Sequence, residues 1–181
     1  MDASSSPALA FCRRIDMVAI YSGRLVSWLI IPMVLSLAFE VVSRYGFNAP
    51  TVWAFDMTFM LYGAFFMLGA SYTLQRKGHI RTDSLYAGWS PRTQGIVDTI
   101  CYLVFFFPFV LTFAFTGWEY FYKAFTTGER FVSSPWMAKV WPFKLVLPLA
   151  GAMLALQGVS EMMKSAYAIK HNAWPLEGER E

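Results

Sequence analysis

The sequence predicts an all-α membrane protein with four transmembrane helices. Apolar residues make up 56% of the 181 residues and aromatic residues 18%, whereas charged residues make up 15%. This composition lies far from the average soluble domain. A soluble core would need apolar residues at helical or strand spacing, but here they run almost unbroken over lengths that can cross a bilayer. We therefore expect residues 1–181 to form a single membrane domain.

Four predicted spans each come close to the roughly 20 residues that a helix needs to cross a bilayer. They cover residues 25–43, 53–74, 96–118 and 143–163. Glycine, asparagine and proline in RYGFNAPT predict a tight turn between the first two spans. Pro32, Pro108 and Pro148 fall within three of the spans and predict bends that neighbouring helices accommodate.

The distribution of lysine and arginine predicts the orientation. Of the 15 cationic residues, ten lie before the first span, between the second and third, or after the fourth: Arg13, Arg14, Arg24, Arg76, Lys77, Arg81, Arg92, Lys164, Lys170 and Arg180. By the positive-inside rule these segments face the cytoplasm, so residues 164–181 are expected to form a cytoplasmic tail. Arg76, Lys77 and Arg81 are expected to anchor this topology by binding anionic lipid headgroups.

Two shorter segments are predicted to be helices at the membrane surface. In residues 1–24, Phe11, Ile15 and Val18 share one helical face, which is typical of an amphipathic helix on the cytoplasmic surface. In SSPWMAKVWP, Ser134 is expected to cap a short helix with Pro135 at its first position. That second helix would lie at the periplasmic interface.

The charged residues of the predicted spans lie near span ends rather than at their centres. Glu40 and Arg44 are four residues apart, which predicts either a helical ion pair or a polar contact to a partner subunit. Asp56, near the start of the second span, either interacts with the helix dipole or contacts a partner. Glu161 is expected to pair with Lys164 three residues later.

Small residues in the spans predict close helix–helix contacts. They are Gly63, Gly69, Gly151, Ala155 and Gly158.

The sequence offers no support for catalysis or for a bound cofactor. It has no nucleophile elbow, phosphate-binding glycine loop or zinc-protease motif. His79 and His171 lie outside the spans, so they cannot form a pair of axial haem ligands within the bundle. The net charge of +3 is spread over several segments without a basic stripe, which excludes nucleic acid as a partner.

The residues alone leave several kinds of membrane protein open. A transporter that acts alone usually needs inverted repeats and polar sites at the membrane midplane, and neither is visible here. A free-standing homo-oligomeric channel or transporter would need a polar pore face. A membrane-anchor subunit of another complex is the remaining alternative.

Three stretches of the sequence resemble a known family. They are RYGFNAPTVWAFD, then FMLGASYTLQRKGHIRTDSLY, and SSPWMAKVWPFKLVLPLAGAMLALQGVSE before and within the last span. Together they resemble the small membrane subunit (DctQ-type, or Q subunit) of tripartite ATP-independent periplasmic (TRAP) transporters over about the whole chain. Trp53 with Asp56 is similar to the family's tryptophan-x-x-acid pattern, although the acid here is aspartate where glutamate is more often expected.

The resemblance implies a three-part importer of organic acids in the bacterial inner membrane. A periplasmic binding protein (P) would deliver the solute to a large, sodium-coupled elevator subunit (M), for which the small subunit would be a static scaffold without cofactors. His79 and Asp83 would set the angle of the second connection or touch the large subunit. The candidate structural or partner-contacting residues are Glu40, Arg44, Trp53, Asp56, Gly69, His79 and Asp83.

Overall fold

A computed structural model describes residues 7–76, 86, 88–132 and 134–175. Within these residues the chain is a helical bundle. Its helices are α1 (Pro7–Ser27), α2 (Ile30–Gly46), α3 (Ala54–Gln75), α4 (Pro91–Cys101), α5 (Phe107–Thr127) and α6 (Trp141–His171). A π-helical turn, Tyr102–Phe106, joins α4 to α5.

Four helical segments are long and apolar enough to cross a membrane. They are Pro7–Gly46, Ala54–Gln75, Pro91–Thr127 and Trp141–His171. The all-α class with four spanning helices is therefore confirmed. The first and third segments are much longer than the spans predicted at 25–43 and 96–118, because α1 continues into α2 and α4 into α5 with little interruption.

Helix α6 lies at the centre of the bundle, where it packs against α1, α3, α4 and α5, while α2 packs on α3. Glycines allow the closest approaches. A Cβ added to Gly151 would lie 2.7 Å from the Cβ of Ala114 on α5, and one added to Gly95 would lie 2.7 Å from the backbone oxygen of Ser165. The predicted close contact is thus present at Gly151, whereas the contact at Gly95 was not anticipated.

Two prolines coincide with changes in the helical hydrogen bonding. Pro32 has no N–H to donate to the carbonyl of Trp28, and the helix is interrupted there between α1 and α2; the N–H of Ile31 donates to that carbonyl at 3.2 Å. Pro108 follows the π-helical turn, in which the N–H of Phe107 donates to the carbonyl of Tyr102. Pro148 lies within the continuous helix α6.

The N-terminal helix α1 packs against α3 and α6. Its buried face includes Cys12, Asp16 and Ala19, while Phe11 and Val18 are 49% and 57% exposed. Phe11 and Val18 of the predicted apolar face therefore point away from the bundle, Ile15 is half-buried, and Asp16 points into the bundle. Its position at a membrane surface stays a prediction.

The connection between α5 and α6 differs from the short helix expected from Ser134. Residues 134–137 form a turn in which the N–H of Met137 donates to the carbonyl of Ser134 at 3.1 Å. Arg130 and Lys139 then form an isolated antiparallel bridge. The Ser134 hydroxyl accepts a hydrogen bond from the N–H of Trp136 at 3.2 Å. Ser134 therefore caps a backbone N–H as expected, but that N–H belongs to a turn and not to a helix.

Candidate functional site

A buried polar cluster joins α1 to α6. Its members are Asp16, Gln157, Ser160, Glu161 and Lys164, which are between 0% and 8% exposed. The ammonium of Lys164 lies 2.7 Å from Asp16 Oδ2 and 2.7 Å from Glu161 Oε1. The amide of Gln157 donates to Asp16 Oδ1 at 2.9 Å, and the hydroxyl of Ser160 donates to the same oxygen at 2.9 Å.

The cluster arises because its α6 members fall on one helical face. Gln157, Glu161 and Lys164 are spaced four and three residues apart, so their side chains meet. The predicted pair of Glu161 with Lys164 is present. Asp16 was missed as the third member, because it lies 141 residues before Gln157 and further still before Glu161 and Lys164. The available signal was that Asp16 is the sole acidic residue of α1.

A buried ion pair contributes little net stability, since both charges lose their hydration, but removing one partner strands the other. The buried polar cluster therefore fixes where α1 sits on α6 and opposes any sliding between them. The ammonium of Lys164 neutralises the carboxylates of Asp16 and Glu161, and the Gln157 amide and Ser160 hydroxyl donate hydrogen bonds to Asp16. These contacts are suited to holding two helices together.

At the opposite end of the bundle, Glu40 closes the turn between α2 and α3. Its carboxylate accepts hydrogen bonds from Arg44 Nε at 2.8 Å, from the backbone N–H of Thr51 at 2.9 Å and from the Thr51 hydroxyl. The predicted ion pair with Arg44 is present. Trp53, just before α3, stacks on Phe39 with ring centroids 5.8 Å apart.

Asp56 lies in the first turn of α3, as expected for an acid near a helix N-terminus. Its Oδ2 accepts a hydrogen bond from the hydroxyl of Ser134, in the connection between α5 and α6. An ion pair between Lys144 and Glu129, at 2.7 Å, also stabilises that connection. The carboxylates of Glu40 and Asp56 are therefore both engaged within this chain, each holding a connection in place.

Gly69, one of the predicted site residues, faces open space on the surface of α3. A Cβ added to Gly69 would meet no other described atom within 4 Å, whereas one added to Gly158 would lie 2.3 Å from Phe106. Arg76 ends α3 with its guanidinium 5.7 Å from the ring centroid of Tyr72. His79, Asp83, Lys77 and Arg81 lie outside the described residues.

The described part of the chain holds no group of three or more His, Cys, Asp or Glu side chains that could bind a metal ion. His171, the histidine within it, stacks on Tyr167 with ring centroids 4.3 Å apart.

These features describe a multi-pass membrane protein with four potential spans, a buried polar cluster at one end of the bundle, and connections held by Glu40 and Asp56 at the other end. The model of the family "Tripartite ATP-independent periplasmic transporters, DctQ component" matches residues 33–167. Because that match covers well over half of the chain, the chain belongs to the DctQ family. Comparisons with curated proteins and with solved structures gave no match.

The family assignment confirms the resemblance found in the sequence. DctQ is a transporter component, not an enzyme family, and its members work in tripartite transporters beside M and P subunits. The matched residues include most of α2, all of α3, α4 and α5, and most of α6. Both the turn closed by Glu40 and the α6 members of the buried polar cluster therefore lie within the family region.

Proposed function

We propose that this chain is the small permease subunit of a sodium-coupled importer of organic acids and serves as a static scaffold for the large elevator subunit. The observation that carries the proposal is the way its polar groups are used. The carboxylates of Asp16, Glu40 and Glu161 all bond within the chain, where they hold helices and turns together. A static scaffold needs such fixed contacts between its helices, whereas a subunit that moves needs helix interfaces without them.

The packing of α6 supports a static role. Gly95, Gly117 and Gly151 bring the backbones of α4 and α5 against α6, leaving no room for a side chain to pass. Motion of α1 relative to α6 would, in addition, separate Lys164 from Asp16. Breaking a buried ion pair costs about 3–5 kcal/mol, so this motion is disfavoured.

The outer face of α3 supports contact with a partner subunit. Phe55, Phe59, Tyr62, Phe66 and Gly69 follow one another at three- and four-residue spacing, so they share one side of the helix. The four aromatic residues are between 51% and 71% exposed. Gly69 leaves a notch in this aromatic face, and small residues of this kind let helices approach closely in membranes. We place a helix of the large subunit here.

Replacing Gly69 with leucine is expected to weaken association with the large subunit by roughly 5-fold to 150-fold, while the chain itself folds normally. The added side chain fills the notch, and overpacking an interface costs about 1–3 kcal/mol, where about 1.4 kcal/mol is tenfold in affinity. The measurement is co-purification and titration of the two tagged subunits in detergent. Ala152→Leu, at an exposed position of α6, is the matched control. If Gly69→Leu and Ala152→Leu bound the large subunit equally well, the outer face of α3 would not be the contact surface.

The orientation follows from the charge distribution, and we propose that both termini face the cytoplasm in the inner membrane. Ala10 on α1 and Ala138 before α6 lie towards opposite ends of the bundle, so cysteines placed there are expected to react from opposite sides. Labelling with a membrane-impermeant maleimide, before and after permeabilisation and in a background without Cys12 and Cys101, measures this. Labelling of both positions from the same side would contradict the topology.

A second candidate function has one observation in its favour. Thr112, Thr116, Glu119 and Lys123 form an exposed polar stripe on α5, opposite the buried face at Gly117. If copies of this chain formed their own pore, this stripe is the surface that would line it. A cysteine at Thr116 is then expected to form disulfide-linked copies of this chain in membranes; under the scaffold proposal it does not.

A further inference from the structure

The amide oxygen of Gln157 is a buried acceptor without a partner in the described part of the chain. The amide nitrogen of the same side chain donates to Asp16 Oδ1 at 2.9 Å and to Glu161 Oε1 at 3.3 Å. Exchanging the two amide atoms would place the oxygen against two carboxylates, so the cluster itself fixes the orientation. Leaving a buried acceptor without a donor is costly, which calls for a donor from elsewhere.

A cavity of about 60 Å³ lies beside Gln157 where α1, α3 and α6 meet. Most of its lining is apolar, and the cavity opens to the surface between Val18 of α1 and Leu156 of α6, which are more than half exposed. Ser71 of α3 borders its inner side together with Gln157. Ser71 is 1% exposed, and its hydroxyl makes a long hydrogen bond of 3.4 Å to the carbonyl of Leu68. The cavity is thus bordered by two polar side chains from different helices, and each has hydrogen-bonding capacity to spare.

We propose that this cavity binds an ordered water molecule that bridges Gln157 Oε1 and Ser71 Oγ. A cavity needs roughly 10–15 Å³ of space open to a water-sized probe to hold one water molecule, so this cavity has room for one. A buried water needs roughly two to four polar partners, and the amide oxygen and the serine hydroxyl supply the minimum. Water has the donor that Gln157 Oε1 lacks, and it can accept from or donate to Ser71.

The bridging water extends the buried polar cluster to a third helix. Asp16 already connects α1 to Gln157 and Lys164 on α6, and the water would connect Gln157 to Ser71 on α3. Water-mediated bonds are enthalpically nearly as good as direct ones. The three helices would then be held by one continuous network at their crossing.

The test is a cryo-EM map of the assembled transporter at a resolution that shows ordered waters elsewhere. We expect an isolated density peak about 3 Å from both Gln157 Oε1 and Ser71 Oγ. The peak should persist in Thr73→Ala, a matched control on the same helix whose hydroxyl bonds to the carbonyl of Gly69, and should weaken or vanish in Ser71→Ala. An empty cavity, or density continuous with a lipid or a side chain of another subunit, overturns the proposal.

Thermal unfolding of the same complexes gives a second readout. Ser71→Ala removes one of the two anchoring groups of the water and is expected to lower the unfolding temperature relative to Thr73→Ala. Equal unfolding temperatures for the two variants would count against a bridging water, whatever happens to transport.

Discussion

Replacing Lys164 with methionine is expected to lower the free energy of unfolding by about 3–5 kcal/mol. The substitution removes the ammonium that lies 2.7 Å from carboxylate oxygens of both Asp16 and Glu161, and leaves the two acids buried side by side. We expect α1 to separate from α6, because repulsion between the acids acts across that contact. Reversible unfolding of the purified chain in mixed micelles, followed by circular dichroism, measures the loss.

Two further variants separate the charge effect from a loss of packing. Lys170→Met changes an exposed lysine of the same helix and should alter stability little. The triple variant Asp16→Asn, Glu161→Gln, Lys164→Met removes all three charges and should recover much of the loss, because replacing a whole buried ion cluster by neutral groups is far less costly than breaking it. If Lys164→Met were no less stable than Lys170→Met, the buried polar cluster would not hold the helices together.

Replacing Gly151 with alanine is expected to destabilise the chain by about 1–3 kcal/mol. The new Cβ would lie 2.7 Å from the Cβ and 2.9 Å from the Cα of Ala114, so α5 would have to move away from α6. The same unfolding experiment measures the change.

A rescue and a control sharpen this result. Adding Ala114→Gly removes the nearer obstacle and should restore part of the stability. Gly69→Ala places a methyl group in open space on α3 and should leave the stability of the isolated chain unchanged or raise it, because alanine favours helix more than glycine does. Equal losses at Gly151 and Gly69 would mean that the α5–α6 contact is not tightly packed.

Local patterns were predictable from the sequence. The spanning helices follow from long apolar runs, and the pairs Glu40–Arg44 and Glu161–Lys164 follow from helical spacing, because both partners lie on one helix. The interruption near Pro32 likewise follows from a missing backbone donor.

Contacts between distant segments were not predictable in the same way. Nothing in the sequence near Asp16 identifies Lys164 as its partner, and nothing near Thr51 shows that its N–H bonds to Glu40. Ser134 and Pro135 suggest the start of a helix, but serine also caps turns. The hydroxyl of Ser134 donates a hydrogen bond to Asp56 on α3, a contact that the local sequence does not reveal. The close approach at Gly95 depends on which backbone lies opposite, and that is set by the packing of α4 on α6.

The central claim is that this chain supports the large subunit without itself transporting the solute. The most direct measurement reconstitutes the large subunit and the binding protein in liposomes with and without this chain, and follows both sodium-driven uptake and the thermal stability of the large subunit. The account predicts that omitting the chain lowers both, and that restoring it recovers both. Equal uptake and equal stability of the large subunit in the absence of this chain would contradict the account.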